Sequence, residues 1–160
     1  MLLGEMFMPY ETTTFLTNIR RTVKLYDSML RPVCDQYNLS SMEVTIISFL
    51  YNNPSKDTAA DIVELRMLSK GNVSKAVENL IQKSLLQRQQ DREDRRKIHL
   101  SLTPAAKPVT QKIERVKQTF RKQVFRGFSA EEQALFIQLN NRIAENAKIE
   151  IERGESFDER

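Results

Sequence analysis

The sequence contains a single cysteine, Cys34, and a single histidine, His99, and each scarcity closes off a chemistry. One cysteine cannot form an intrachain disulfide, so nothing points to an oxidising compartment. One histidine and one cysteine cannot supply the three or four ligands of a zinc site, so no metal and no cofactor is expected. There is no tryptophan, no glycine-rich phosphate loop and no HExxH pattern. No catalytic constellation can therefore be quoted, and an enzyme is not expected. Four glycines and five prolines in 160 residues leave few chain breaks, which favours helix over sheet. The opening residues, MLLGEMFMPY, lack both a basic leader and a long apolar run. They read as neither signal peptide nor membrane span, and no membrane association is expected.

What the chain does have is charge, unevenly placed. Lys and Arg number 5 against 8 Asp and Glu over residues 1–65, 16 against 5 over 66–126, and 4 against 8 over 127–160. The overall excess of +4 hides a strongly basic centre between two acidic ends. Such a block is the footprint of a polyanion binder. Between Lys107 and Arg126 an ordinary solvated helix face explains it equally well.

Apolar spacing organises the rest. Phe15, Ile19, Val23, Tyr26, Leu30, Val33 and Tyr37 recur at steps of three and four, predicting one helix over 12–37 with Pro32 kinking or loosening a turn. Ser40 with Glu43 forms a capping box for a second helix, which Asn52-Asn53-Pro54 stops. A short third helix starts near Asp57 or Thr58, and Ser69 caps a fourth. Val73, Val77, Leu80 and Ile81 make the fourth helix's apolar stripe. Strands are expected at 87–90 and 97–102, joined by the polar tip DREDRRK. Thr103-Pro104 reads as the cap and first position of a fifth helix reaching about Arg126, closed by Gly127. Ser129 with Glu132 caps a last helix, and the tail after Ile151 is expected to fray.

A short helix followed by an arginine-rich hairpin is the layout of a winged helix-turn-helix, in which the helix enters the major groove and the hairpin reaches the minor groove. The polar positions Ser69, Lys70, Asn72, Ser74, Lys75 and Asn79 are the candidate readers of bases and phosphates. In the wing, Arg95 is the first candidate for minor-groove insertion and Arg92 the second, with Arg96 beside them. His99, on the polar face of its strand, is given at most a surface or phosphate contact. Cys34 reads as a small buried side chain rather than an oxidant sensor, which would need a nearby cation to lower its pKa.

The segment LSKGNVSKAVENLIQKSLLQR running into DREDRRKIHLSLT resembles the MarR (multiple-antibiotic-resistance regulator) family of bacterial transcription factors. Asp91, Asp94, Arg95, Arg96 and Leu102-Thr103 match the family's wing, and the order of elements matches over residues 12–150. Arg92 stands where proline is frequent, Met67 where the turn before the recognition helix often has glycine, and Pro104 to Pro108 replace the usual Glu-x-Gly. The resemblance implies a mainly α fold with a small β-hairpin wing. It implies a winged helix-turn-helix at 40–103, a helical dimerisation lobe from 12–37 and 104–152, and a frayed tail at 153–160. It also implies that Asp94 partners an arginine in or under the wing. The expected partners are a palindromic duplex operator and a second copy of the chain, in the cytoplasm at the nucleoid. A small aromatic or phenolic effector is expected near Arg20, Tyr26, Arg31 and Tyr37. The activity implied is that of a dimeric regulator, most simply a repressor. The competing classes are a winged-helix module for protein contacts and a nucleic-acid binder without operator specificity. The arginine-rich tip speaks against the first, and a preference for a palindromic duplex would separate off the second.

Overall fold

The computed structural model describes residues 9–158, with side-chain surroundings for residues 11–154. The opening residues through Met8, expected to be neither signal nor membrane span, lie outside the described residues. The order is α1 (Pro9–Tyr37), α2 (Ser41–Asn52), α3 (Ala59–Arg66), α4 (Lys70–Gln82), β1 (Leu86–Gln90), β2 (Ile98–Leu102), a 3-10 turn (Pro104–Ala106), α5 (Lys107–Val124) and α6 (Ala130–Asp158). The mainly α architecture with one hairpin is thus the observed one. The chain divides into two compact units after Phe120.

Helix starts follow the caps that the sequence advertises. The Ser40 hydroxyl accepts from the Glu43 amide at 3.1 Å, and Glu43 accepts from the Ser40 amide at 2.9 Å. Thr58 and Asp61 repeat the capping box at α3. Each satisfies donors that the first helical turn leaves unpaired.

Helix ends follow a rule the sequence hides. α1, α3 and α4 are each followed by a left-handed residue: Asn38 at φ 51°, Met67 at φ 50° and Ser84 at φ 59°. In each case the next residue, a leucine, donates its amide back across the turn: Leu39 to Cys34, Leu68 to Val63, Leu85 to Leu80. These are Schellman-type closures made without glycine. Met67, where the family often has glycine, carries the steric cost of that conformation.

The core of the first unit joins α2, α3 and α4 with α1, α5 and the wing's base. Ile46, Ile47, Ile62, Val73, Leu80 and Ile113 are fully buried. Burying one such side chain contributes about 1.5–3 kcal/mol. Glu43 is buried among them at 2 % exposure, with Lys83 Nζ at 2.8 Å. Burial alone would raise its carboxyl pKa, but hydrogen bonds from Lys83, Ser40 and Asn79 hold it below the ordinary glutamate value.

Several boundaries differ from expectation. α1 continues past Pro32 to Tyr37 as unbroken helix. Thr103 makes no side-chain cap. Its hydroxyl instead donates to the Ser84 carbonyl at 2.6 Å, tying β2 to the end of α4. The 3-10 turn intervenes, so Pro108 falls in the first turn of α5, where its missing N–H costs nothing. α5 ends at Val124, which leaves Arg126 in the following turn.

In the second unit, Gly127 adopts φ 84° and Ser129 with Glu132 forms the expected capping box. Phe125 meets Phe128 and Phe136 edge-on at 5.5 and 5.4 Å. α6 runs on to Asp158, past Ile151 where fraying was expected. Among the described residues no helix is long and apolar enough to cross a membrane.

Candidate nucleic-acid interface

α4 has two unlike faces. Val73, Ala76, Val77 and Leu80 are buried, at spacings of three and four. Lys70, Asn72, Ser74 and Lys75 are exposed on the other side, as is Ser69 at the cap. The Ser69 hydroxyl accepts from the Asn72 amide at 3.4 Å. No acidic residue occupies the first turn, so the positive end of the helix dipole adds to the two lysines. Asn79 does not join this face. It is half-buried, and it contributes to lowering the pKa of the Glu43 carboxyl.

The wing pairs β1 with β2 antiparallel, from Leu86 opposite Leu102 to Gln90 opposite Ile98. Leu100 points into the core at 5 % exposure, and its amide donates to the Asp57 carbonyl at 2.7 Å. The tip is shaped by its carboxylates. Asp91 Oδ1 accepts from the amides of Glu93 and Asp94, both at 2.8 Å. Asp94 Oδ1 accepts from the Arg96 amide at 2.9 Å. The Gln90 side chain donates to the Arg95 carbonyl at 2.8 Å. Asp94 thus partners an arginine of the wing, Arg96, through that residue's backbone amide rather than its side chain. Among the described residues no ion pair engages the side chains of Arg92, Arg95 or Arg96, and all three are exposed. The basic tip is held in shape while its cations stay free.

His99 also departs from expectation. Its Nδ1 lies 2.9 Å from Asp57 Oδ1 and its Nε2 lies 2.8 Å from Asp91 Oδ2. It links two carboxylates while remaining 31 % exposed. No local pattern announces Asp57 as its partner, 42 residues away.

The four candidate effector residues are not brought together. A cavity of about 610 Å³ opens among α1, α2 and α5 and includes Tyr26, but not Arg20, Arg31 or Tyr37. Tyr26 packs edge-on against Phe120 at 5.1 Å. The cations on this cavity are Arg66 and Lys117, which sequence reasoning missed. Burial raises the Tyr26 phenol and Arg66 opposes it. Tyr37 instead lies under the Lys112 ammonium, 5.8 Å from the ring centroid. Cys34 is half-buried on the cavity wall, and burial pushes its thiol pKa up, the reverse of an activated thiolate.

Comparison with known proteins adds to this geometry. Residues 37–97 match the sequence model of the MarR family. Among solved structures, the chain is similar to a MarR protein from Peptoclostridium difficile, at 19% identity and TM-score 0.76 over 94% of each chain. It is similar to a MarR-family transcriptional regulator from Listeria monocytogenes complexed with a 26mer DNA, at 17% identity and TM-score 0.73, over 82% of this chain and 87% of that one. A third is BpsR of Bordetella bronchiseptica, described for the regulation of its DNA binding by 6-hydroxynicotinic acid, at 18% identity and TM-score 0.66, over 82% and 98%. At these identities the likeness is one of fold. No curated protein matches the sequence.

Proposed function

From the match of residues 37–97 to the MarR family, whose members are DNA-binding transcription regulators and not enzymes, we propose that the protein is a dimeric, sequence-specific repressor. It reads a pseudo-palindromic operator in the cytoplasm. The observation that carries this reading is the pairing of two bare cationic features. Ser69, Lys70, Asn72, Ser74 and Lys75 line the outer face of a rigid helix, and Arg92, Arg95 and Arg96 stand unpaired at the end of an ordered hairpin. The helix supplies base contacts in the major groove and the arginines enter the flanking minor groove.

In this reading 40–103 reads DNA, and 12–37 and 104–152 serve dimerisation. Two apolar faces support a second copy. α1 exposes Phe15, Leu16, Ile19 and Val23, and α6 exposes Leu135, Phe136, Leu139 and Ile143. Joined by a two-fold axis, such faces would place two recognition helices on half-sites about 10 bp apart. The effector is an aromatic acid in the cavity bounded by Tyr26, Phe120, Arg66 and Lys117, and its binding releases DNA.

Footprinting against the DNA upstream of the protein's own gene, with sedimentation at micromolar concentration, tests the proposal. We expect a dimer and two protected half-sites. A stable monomer rejects the architecture, and equal affinity for RNA or for unrelated duplexes rejects operator specificity.

A further inference from the structure

The imidazole of His99 has carboxylates at both nitrogens. Asp57 Oδ1 and Oδ2 lie 2.9 and 3.0 Å from Nδ1, and Asp91 Oδ2 lies 2.8 Å from Nε2. A neutral imidazole has one N–H, so one nitrogen would set a lone pair against a carboxylate. The imidazolium has two donors and satisfies both sides.

The two carboxylates belong to different parts of the unit. Asp91 directly follows the hairpin's outgoing strand, and its other oxygen holds the Glu93 and Asp94 amides that shape the tip. Asp57 lies just before α3, and its carbonyl receives the Leu100 amide. His99 therefore connects the turn that presents Arg92, Arg95 and Arg96 to the helical body behind it.

We propose that His99 is a positioning residue for DNA binding: as an imidazolium it ties Asp91 of the wing to Asp57, and loss of its proton loosens the wing and weakens the hold on the operator. The proposal rests on the DNA-binding reading above.

The hydrogen bond to Asp91, then that to Asp57, raises the His99 pKa, with burial opposing. Bonds from Asp94, His99 and Glu93 hold Asp91 well below the usual carboxylate range, so it stays charged throughout. Lys97 stands two residues before His99 and Lys56 directly before Asp57, and both act on Asp61, which is bonded to Thr58. The residue facing His99 across the hairpin, Gln89, is uncharged. With a raised folded-state pKa, the clamp is fully present below about 6.5 and is lost as pH rises through the higher folded value.

Because His99 is the only histidine, its ring resonance can be titrated without assignment mutants. We expect a midpoint above the ordinary histidine value, moving down toward it in Asp57→Asn and in Asp91→Asn. A midpoint at or below about 6.5 overturns the clamp. Duplex affinity is then measured by fluorescence anisotropy from about pH 6 to about pH 9 at constant ionic strength. Wild type should lose affinity several-fold across the window. His99→Gln, with its fold checked by circular dichroism, should bind more weakly than wild type at the acid end and show no such slope. Equal slopes overturn the positioning role. A raised midpoint with no duplex binding at any pH rejects the operator reading, and the role of His99 in DNA binding with it, while the clamp itself stands.

Discussion

α4 and the wing both present exposed cations, yet they are held in opposite ways. α4 is held by apolar burial: Val73 and Leu80 at 0 %, Ala76 at 4 %, Val77 at 9 %. The tip between β1 and β2 buries almost nothing and is held by polar bonds from Asp91, Asp94, Gln90 and His99. A helix has its backbone donors and acceptors satisfied internally, so its outer face is free to present Lys70, Asn72, Ser74 and Lys75. The seven-residue tip closes with two backbone bonds, Asp91 to Lys97 and Lys97 to Asp94, and its own carboxylates accept from the amides of Glu93, Asp94 and Arg96. The price is negative charge near a DNA surface. It is limited because those carboxylates point into the turn and onto His99. The comparison implies that α4 depends on packing, whereas the wing depends on charge and protonation.

Leu80→Ala is the largest break. It leaves a cavity under the recognition helix and should lower unfolding stability by about 2–5 kcal/mol in urea denaturation. A loss below about 1 kcal/mol would mean that α4 is not anchored by this face.

Arg95→Ala tests the other side. It should leave stability unchanged and weaken operator binding by about 1–3 kcal/mol. Arg126→Ala, in the turn after α5, should at most flatten the salt dependence. Equal losses in the two would reduce the wing to a general electrostatic attractor, leaving sequence specificity to α4 alone.

Thr58→Ala removes one half of the α3 capping box and should cost about 1 kcal/mol in thermal or chemical unfolding. Because Asp57 adjoins this cap, the same variant should also blunt the His99 titration if the clamp depends on a fixed start to α3. An unmoved titration would show that the Leu100–Asp57 backbone bond suffices.

Met67→Gly is the smallest expected change, and its sign is the informative part. At φ 50° with 79 % exposure, Met67 has strain to lose and little packing to give up. Glycine should stabilise the turn before the recognition helix by about 0.5–1 kcal/mol. A destabilised variant would mean that the exposed methionine contributes packing that outweighs its strain.

How much could be read from the chain depended on distance along it. The capping boxes at Ser40 and Ser129 join residues three apart, and both were legible. So were the two faces of α4, except Asn79, which lies between the buried and exposed faces and is half-buried. The ends of α1, α3 and α4 were harder, because Asn38, Met67 and Ser84 do a job that sequence patterns assign to glycine. A leucine directly after each of them was the available signal.

The helices, the hairpin, the basic central block and the arginine-rich tip were legible in the chain. All of these follow from periodicity, local capping and charge, which act over a few residues. Only tertiary structure decided which side chains meet across the fold. It set His99 between Asp91 and a carboxylate 42 residues away, and joined Lys83 to Glu43 across 40. It also gathered Tyr26, Phe120, Arg66 and Lys117 around one cavity, leaving Arg20, Arg31 and Tyr37 outside it. Such pairings carry no spacing rule, because helix packing, not chain proximity, brings the partners together.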